Sequence, residues 1–355
     1  MNVPDQDNNP GYIPLFQTIR GKFVESIHYG AIAVVTAGGD LFAWAGNPNA
    51  VTFLRSSAKP FQAIPLVEMG GVERFQMTGE ELAITCASHS STNIHLKTIH
   101  SLQGKIGVNE EDLLCCSHQP FDKASRLILR DQGKSPSPNY HNCSGKHTGM
   151  LGQAILMGAS KEKYTEVDHP VQTQILETFC DFCGLKPDQV QIGRDGCSVP
   201  TFAVPLYNAA LGWARLVDPQ GLPGTRSQAC RQITSAMGDH PFHVAGPGRL
   251  DTRLMEIAKG KIISKAGAEA YQAAGIVEGA IAPGSQALGI TMKISCGDQG
   301  KRALRGVMLE VLRQINLLSP EQMNELSDLG PGQKYNNQCQ IPIGEGKPCF
   351  QLQYS

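Results

Sequence analysis

The segment Arg55-Ser56-Ser57-Ala58-Lys59-Pro60 sets a serine three residues before a lysine, with a proline directly after it. Residues three apart lie one above the other on a helix, so the Ser56 hydroxyl and the Lys59 amine are expected to meet at a helix start. A serine hydroxyl is a weak nucleophile at neutral pH, but a lysine whose pKa is lowered by partial burial can take its proton. Pro60 is tolerated in a first turn, and Phe61, Ile64 and Val67 follow at the spacing of a buried helix face. Pro65 interrupts that face and predicts a short helix. The same pattern also describes an ordinary solvated helix, so the flanking sequence has to decide between them.

Upstream, the β-branched run 27–35, the turn residues Gly38-Gly39-Asp40 and the apolar run 41–45 read as a hairpin. Downstream, from 70 to about 239, the periodicity is mostly helical. Thr78 is a candidate N-cap for a helix over 79–89. Further helices are predicted over 91–102, 110–114, 123–129, 147–157, 170–182, 201–211 and 228–237. The grammar then changes again: a helix over 250–258, a strand over 261–266, strands over 276–282 and 289–295 with Gly284 between them, helices over 300–318 and 320–326, and a last strand over 349–354. The predicted fold is α/β of the α+β kind, an antiparallel sheet flanked by helices plus a helical lobe. Residues 1–20 are expected to be a flexible arm, 21–69 and 250–355 an α/β lobe, and 70–249 a mainly helical lobe, with the active site in the cleft between lobes. This plan resembles that of serine β-lactamases and serine-dependent glutaminases, a likeness of architecture that does not fix function.

The chain has 355 residues, 41 % hydrophobic and 18 % charged, which permits a sizeable core in one large or two ordinary domains. Lys and Arg total 31 against 32 Asp and Glu, a formal charge of −1, so there is no general electrostatic case for binding nucleic acid or acidic membranes. No apolar run approaches the roughly 20 residues that span a bilayer. The first eleven residues are polar and lack the basic-then-apolar plan of a signal peptide, so the expected location is cytoplasmic. Eleven cysteines without an export signal are expected to be mostly reduced. Cys180-x-x-Cys183 has redox spacing but sits in an apolar helical pattern and reads as two buried side chains, as does Cys115-Cys116.

Three further constellations carry chemistry. Ala87-Ser88-His89-Ser90 groups hydroxyls with an imidazole, or else is a helix end rich in capping residues. Lys265-Ala266-Gly267 follows a strand; in penicillin-recognising enzymes a Lys-Thr-Gly strand faces the Ser-x-x-Lys helix, and Lys265 would likewise bring its amine near Ser56 or Ser88. Asn142-Cys143-Ser144-Gly145-Lys146-His147 and Arg194-Asp195-Gly196-Cys197 are two dense knots. Their thiolates, if brought together, would hold zinc at about 2.3 Å with a nitrogen completing the set; the alternative is buried thiols at ordinary turns.

Together these segments, with His169-Pro170-Val171-Gln172 and Lys265-Ala266-Gly267-Ala268-Glu269, resemble one family, the Rhizobium etli-type L-asparaginases of the asparaginase II family. The resemblance runs from about Phe23 to the C-terminus, with the motifs in the family's order and at comparable separations. It implies hydrolysis of L-asparagine to L-aspartate and ammonia, a serine β-lactamase-like fold, a homodimer, and two serine–lysine tandems carried by Ser56 with Lys59 and by Ser88 with Lys265. It also implies a zinc site at Cys143, Lys146 and Cys197, and substrate-binding roles for Arg55, Asp195 and His147. No organic cofactor is implied. Some members place a further cysteine in the segment that here reads Gly248-Arg249-Leu250-Asp251-Thr252; Asp251 offers a harder, charged donor in its stead and alters the shell expected around the metal.

The expected mechanism has Lys59, neutral through burial and the nearby Lys265 charge, removing the Ser56 proton. Ser56 attacks the amide carbon, backbone N–H groups at the helix start hold the oxyanion, and water hydrolyses the resulting ester. Ser88 either relays protons or is itself the nucleophile. Arg55 either grips the substrate carboxylate bidentately or forms a surface salt bridge. The competing expectations are a serine-dependent glutaminase, a β-lactamase-like acyl hydrolase, and a non-catalytic zinc-binding protein.

Overall fold

The computed structural model of the chain describes residues 10–299 and 302–355, and its two ends build one antiparallel sheet. In chain order the strands are β1 (Ile13–Arg20), β2 (Phe23–Thr36), β3 (Leu41–Ala45), β4 (Val51–Phe53), β5 (Gln191–Arg194), β6 (Pro200–Pro205), β7 (Ile262–Ala266), β8 (Tyr271–Ile276), β9 (Leu288–Ile294), β10 (Gln333–Asn336), β11 (Pro342–Pro348) and β12 (Gln353–Tyr354). The main sheet runs β10-β11-β1-β2-β9-β8-β7, with β3 on β2 and β12 on β3; β4-β6-β5 form a second, small sheet.

β2 organises the interior because its side chains alternate between two apolar surroundings. Ala31, Ala33 and Val35 enter the large core shared with the helices, while Ile32 and Val34 enter the core under the Ala303–Gln314 helix on the other face. The helix Leu206–Val217 lies on the first of these faces. It approaches so closely that a Cβ at Gly289 would stand 1.8 Å from the Ala210 carbonyl oxygen, and one at Gly275, its register partner, 2.4 Å from Val217. Only glycine allows that contact.

Several sequence expectations are corrected here. Of the arm expected over 1–20, residues 1–9 lie outside the described residues, and Ile13–Arg20 is β1, paired on both edges by β2 and β11. Its apolar pair Leu15-Phe16 hides the alternation because a bulge falls between Pro14 and Phe16. The helix expected over 201–211 is divided: Pro200–Pro205 is the central strand of the small sheet, and the helix begins at Leu206. The strand expected over 276–282 lies earlier, at Tyr271–Ile276, where Ala273, Ala274 and Gly275 lack β-branched bulk. β10, the edge strand, and β11 beside it were missed because half-exposed, polar strands carry no apolar alternation. The helix expected over 300–318 is Ala303–Gln314, its predicted start at 300–301 being outside the described residues.

Pro65 does not end its helix. Lys59–Glu68 runs through it with every residue from Lys59 to Val67 buried, packed by the helices Ser144–Leu156, Pro170–Cys183 and Gly224–Asp239. Phe61 sits among Phe179, Phe182 and Trp213. Burial on this scale outweighs one missing backbone hydrogen bond.

Candidate active site

Thr78, the expected N-cap, opens the helix Gly79–Thr85 in a capping box with Glu81, but the helix ends short of the expected 89, so Ser88 lies just past it. The chain then leaves the helix and is fastened: the Ser88 N–H donates to the Val244 carbonyl at 2.9 Å and the Ser90 hydroxyl to the Ala245 carbonyl at 2.7 Å. Two buried amines converge on the Ser88 hydroxyl. Lys59 Nζ is 2.9 Å away and also donates to the Ala87 carbonyl. Lys265 Nζ, from β7, is 3.0 Å away and donates to the Ala266 carbonyl at 2.8 Å. Lys59 and Lys265 are 1 % and 0 % exposed.

The Ser56–Lys59 contact read from spacing is not formed. Arg55–Ala58 is a 3-10 turn entered with Arg55 at φ +53°, and Lys59 opens the α-helix with its side chain turned inward to the Ala87 carbonyl. The half-buried Ser56 hydroxyl hydrogen-bonds to no described residue; it borders the same cavity as Ser88. That cavity, about 740 Å³, is also walled by Asn142, Arg249, Gly267, Glu269 and Arg305, of which none was singled out from the sequence as a site residue.

The electrostatics distinguish Lys265. Burial pushes its amine down to about 7, opposed by Asp251 and reinforced by the charges of Lys59 and Arg249. Asp251 is committed to holding this strand: it accepts from the Ser264 hydroxyl at 2.9 Å, the Gln272 amide at 2.8 Å and the Ala266 N–H at 2.9 Å. With both oxygens so used, Asp251 clamps β7 to β8. His89 is structural as well. Its Nδ1 accepts from the Ser91 N–H at 3.2 Å, so Nε2 carries the proton and donates to the Ser144 hydroxyl at 2.9 Å. Burial holds it neutral.

The two cysteine knots do converge. Lys146 Nζ donates to Cys197 Sγ at 3.0 Å. A hydrogen bond from Cys197 brings the Cys143 thiol well below its ordinary range, against its burial and helped by the charges of Lys59 and Lys146. The same bond and burial raise Cys197, so the two thiols titrate as one coupled pair. Burial opposes the charge on Lys146, but Cys197, Cys143 and Asp195 together raise its pKa. Asp195, whose burial alone would raise it, is held low by Lys146 and by Arg55, which donates Nε and Nη2 to Oδ1 at 3.0 and 2.7 Å. His147 is fully buried with Nδ1 2.6 Å from the Tyr164 hydroxyl, and burial lowers it to about 4. Arg55, Asp195 and His147 are therefore gathered around Lys146, and none of the three walls the 740 Å³ cavity.

A family model described as L-asparaginase II matches residues 16–348. The chain belongs to the L-asparaginase II family. Membership makes it an amidohydrolase by family, which suits a serine held between two buried amines. No curated protein matches the chain. Among solved structures, the one titled Mglu aligns over 82 % of this chain and 68 % of its own with 16 % identity and a TM-score of 0.43. The Bacillus subtilis glutaminase YbgJ, in covalent complex with 5-oxo-L-norleucine, aligns over 82 % of this chain and 89 % of its own with 13 % identity and a TM-score of 0.40.

For this L-asparaginase II chain the expected zinc set is testable against its donors. Among the described residues no group of three or more His, Cys, Asp or Glu side chains is arranged to hold a metal ion, so the site depends on the Lys146 nitrogen. Two adjacent sulfurs and that nitrogen are donor types zinc takes. They fit the ion on condition that Lys146 gives up the proton that Cys197, Cys143 and Asp195 favour on it. No helix among the described residues is long and apolar enough to cross a membrane.

Proposed function

We propose that this amidohydrolase acts on L-asparagine, giving L-aspartate and ammonia through an acyl-enzyme on Ser88. The observation that carries the reading is the Ser88 hydroxyl within hydrogen-bond reach of two buried amines, one of them with its pKa brought near neutrality. Neutral Lys265 takes the hydroxyl proton as Oγ attacks the side-chain amide carbon, and the Lys59 amine steadies the charge on Oγ. Lys265 returns the proton to the departing nitrogen, then draws one from the water that cleaves the β-aspartyl ester. Ser56, free at the cavity wall, hydrogen-bonds the substrate or relays protons. This reverses the roles expected from the Ser-x-x-Lys spacing.

A zinc ion on Cys143, Lys146 and Cys197 would supply positive charge beside Lys59. Arg55 and Asp195, already paired to each other, frame that side of the site. A glutaminase reading is kept because a cavity of about 740 Å³ leaves room for one more methylene, which hydrophobic contacts discriminate by only about 1–3 kcal/mol. The deciding experiment is inactivation with a diazo-ketone analogue of asparagine followed by peptide mass spectrometry, run beside ammonia-release assays on asparagine and glutamine. The adduct is expected on Ser88, with asparagine the better substrate. An adduct on Ser56 would restore the opposite role order, and faster turnover of glutamine would replace the substrate.

A further inference from the structure

The wall of the Ser88 cavity carries four carboxylates, of which Glu269 alone makes no side-chain hydrogen bond or ion pair with a described residue, and arginines that are likewise unpaired. Asp251 is used by Ser264, Ala266 and Gln272; Asp298 accepts the N–H groups of Arg302, Ala303 and Leu304; Asp122 caps the helix Lys123–Asp131 through Ser125. Arg249 has no such partner: its guanidinium makes neither a hydrogen bond nor an ion pair with any described residue and rests over the Phe121 ring, 5.6 Å from the centroid. Arg305, likewise unpaired among the described residues, walls the same cavity close enough to act on Arg249 as a like charge. Two half-buried arginines of like charge facing one cavity, neither paired directly with a carboxylate, favour an anion that enters between them.

From this geometry we infer that Arg249, seconded by Arg305, is the anchor for the substrate α-carboxylate. The assignment rests on the amidohydrolase reading above. Its position is set by the backbone that also sets the nucleophile. Residues 244–251 form a strap in which Val244 and Ala245 hold the Ser88 segment, and Asp251 holds the strand of Lys265. Arg249 leaves the strap between those two fastenings. The turn before it is tight: Gly246 has φ +117°, and a Cβ there would stand 2.6 Å from Ser90 Oγ. The distance from carboxylate anchor to attacking oxygen is therefore built into one rigid piece, as orientation of a small zwitterionic substrate demands. Arg55, the anchor expected from the sequence, is instead satisfied by Asp195. Burial lowers the Arg249 pKa against the pull of Asp251, consistent with a charge kept partly dry for an incoming anion.

The test compares wild type, Arg249→Gln, Arg249→Lys and Arg55→Gln on L-asparagine and on 3-aminopropanamide, which keeps the amide and lacks the α-carboxylate, with calorimetric binding of L-aspartate beside the kinetics. Arg249→Gln is expected to raise KM for asparagine by about 100-fold with kcat within about tenfold, to leave kcat/KM for 3-aminopropanamide unchanged, and to weaken aspartate to the same extent; Arg249→Lys recovers part of the loss. Thermal melting confirms that each variant is folded. The anchor is overturned if Arg249→Gln leaves asparagine and aspartate as in wild type, if it lowers both amides equally, or if Arg55→Gln alone shows the expected pattern. A wild type that binds aspartate through Arg249 but hydrolyses no asparagine would retire the asparagine substrate and leave the anchor standing.

Discussion

Ser88 and Lys265 are 177 residues apart in sequence and 3.0 Å apart in space. Neither is conspicuous alone, since a strand-end lysine beside glycine is ordinarily solvated. Burial changes its chemistry, because a fully buried amine loses hydration only its charged form needs. The expected consequence is a pH dependence. Lys265 must be neutral to act as the base, so kcat/KM for asparagine should fall as pH drops through about 7 and level off above about 8. A limb near the ordinary lysine range instead would remove Lys265 from that role. Ser88→Ala should lower kcat by about 10⁴-fold or more, measured by ammonia release. At this scale the sequence singled out side chains that the fold brings together: Lys59 and Lys265 meet Ser88, and Ser56 borders the same cavity. Their partners were not legible, since helical spacing pointed Lys59 at Ser56 while its buried side chain reaches Ser88. Arg249 was invisible for a related reason: an arginine is remarkable only when it lacks a counter-charge, and that is a property of its surroundings.

Elements with strong local signals formed where their sequences placed them. The β2–β3 hairpin and the helices after Thr78 and Thr92 are opened or turned by short-range devices, a glycine turn and capping boxes. The misread elements are those whose character comes from what lies against them. β8 is poor in β-branched residues because the helix Leu206–Val217 sits on it and on β9, and small residues are the condition for that approach. Gly289→Ala would drive a methyl into the Ala210 carbonyl. We expect a loss of about 3 kcal/mol of stability, read as a lower midpoint in urea unfolding. A midpoint unchanged from wild type would mean the helix can lift off the sheet without cost. Because the helix packs behind β9 and β8 rather than against Ser88, the pH limb of the surviving folded fraction should not move.

At the scale of the molecule, chain ends and middle segments meet at Lys59, which touches the Ser88 site and whose charge helps lower the Cys143 thiol. If zinc occupies the knot, Cys197→Ser should reduce bound metal from about one equivalent to near zero by elemental analysis after dialysis. A wild type that retains no zinc from micromolar free metal would discard the site. The homodimer that the family resemblance implies has a candidate surface in the outer half of β2, where Phe23 is 80 % exposed beside exposed Val24, Ile27 and Tyr29. Sedimentation of the wild type as a dimer, and of Phe23→Ser with Ile27→Ser as a monomer, is the expected result; a monomeric wild type at micromolar concentration removes the proposal.

The sequence by itself determined the mixed α/β class, the antiparallel sheet made from both chain ends, and the set of nucleophiles, amines and thiols from which a site can be built. These follow from periodicity, turn chemistry and residue type, which act over a few residues. Only the tertiary structure decided that both lysines meet Ser88, that Arg55 is taken by Asp195 while Arg249 is left unpaired, and that Asp251 clamps the sheet. Those outcomes depend on burial and on contacts across more than a hundred residues, where desolvation and the presence or absence of a partner set what each side chain can do.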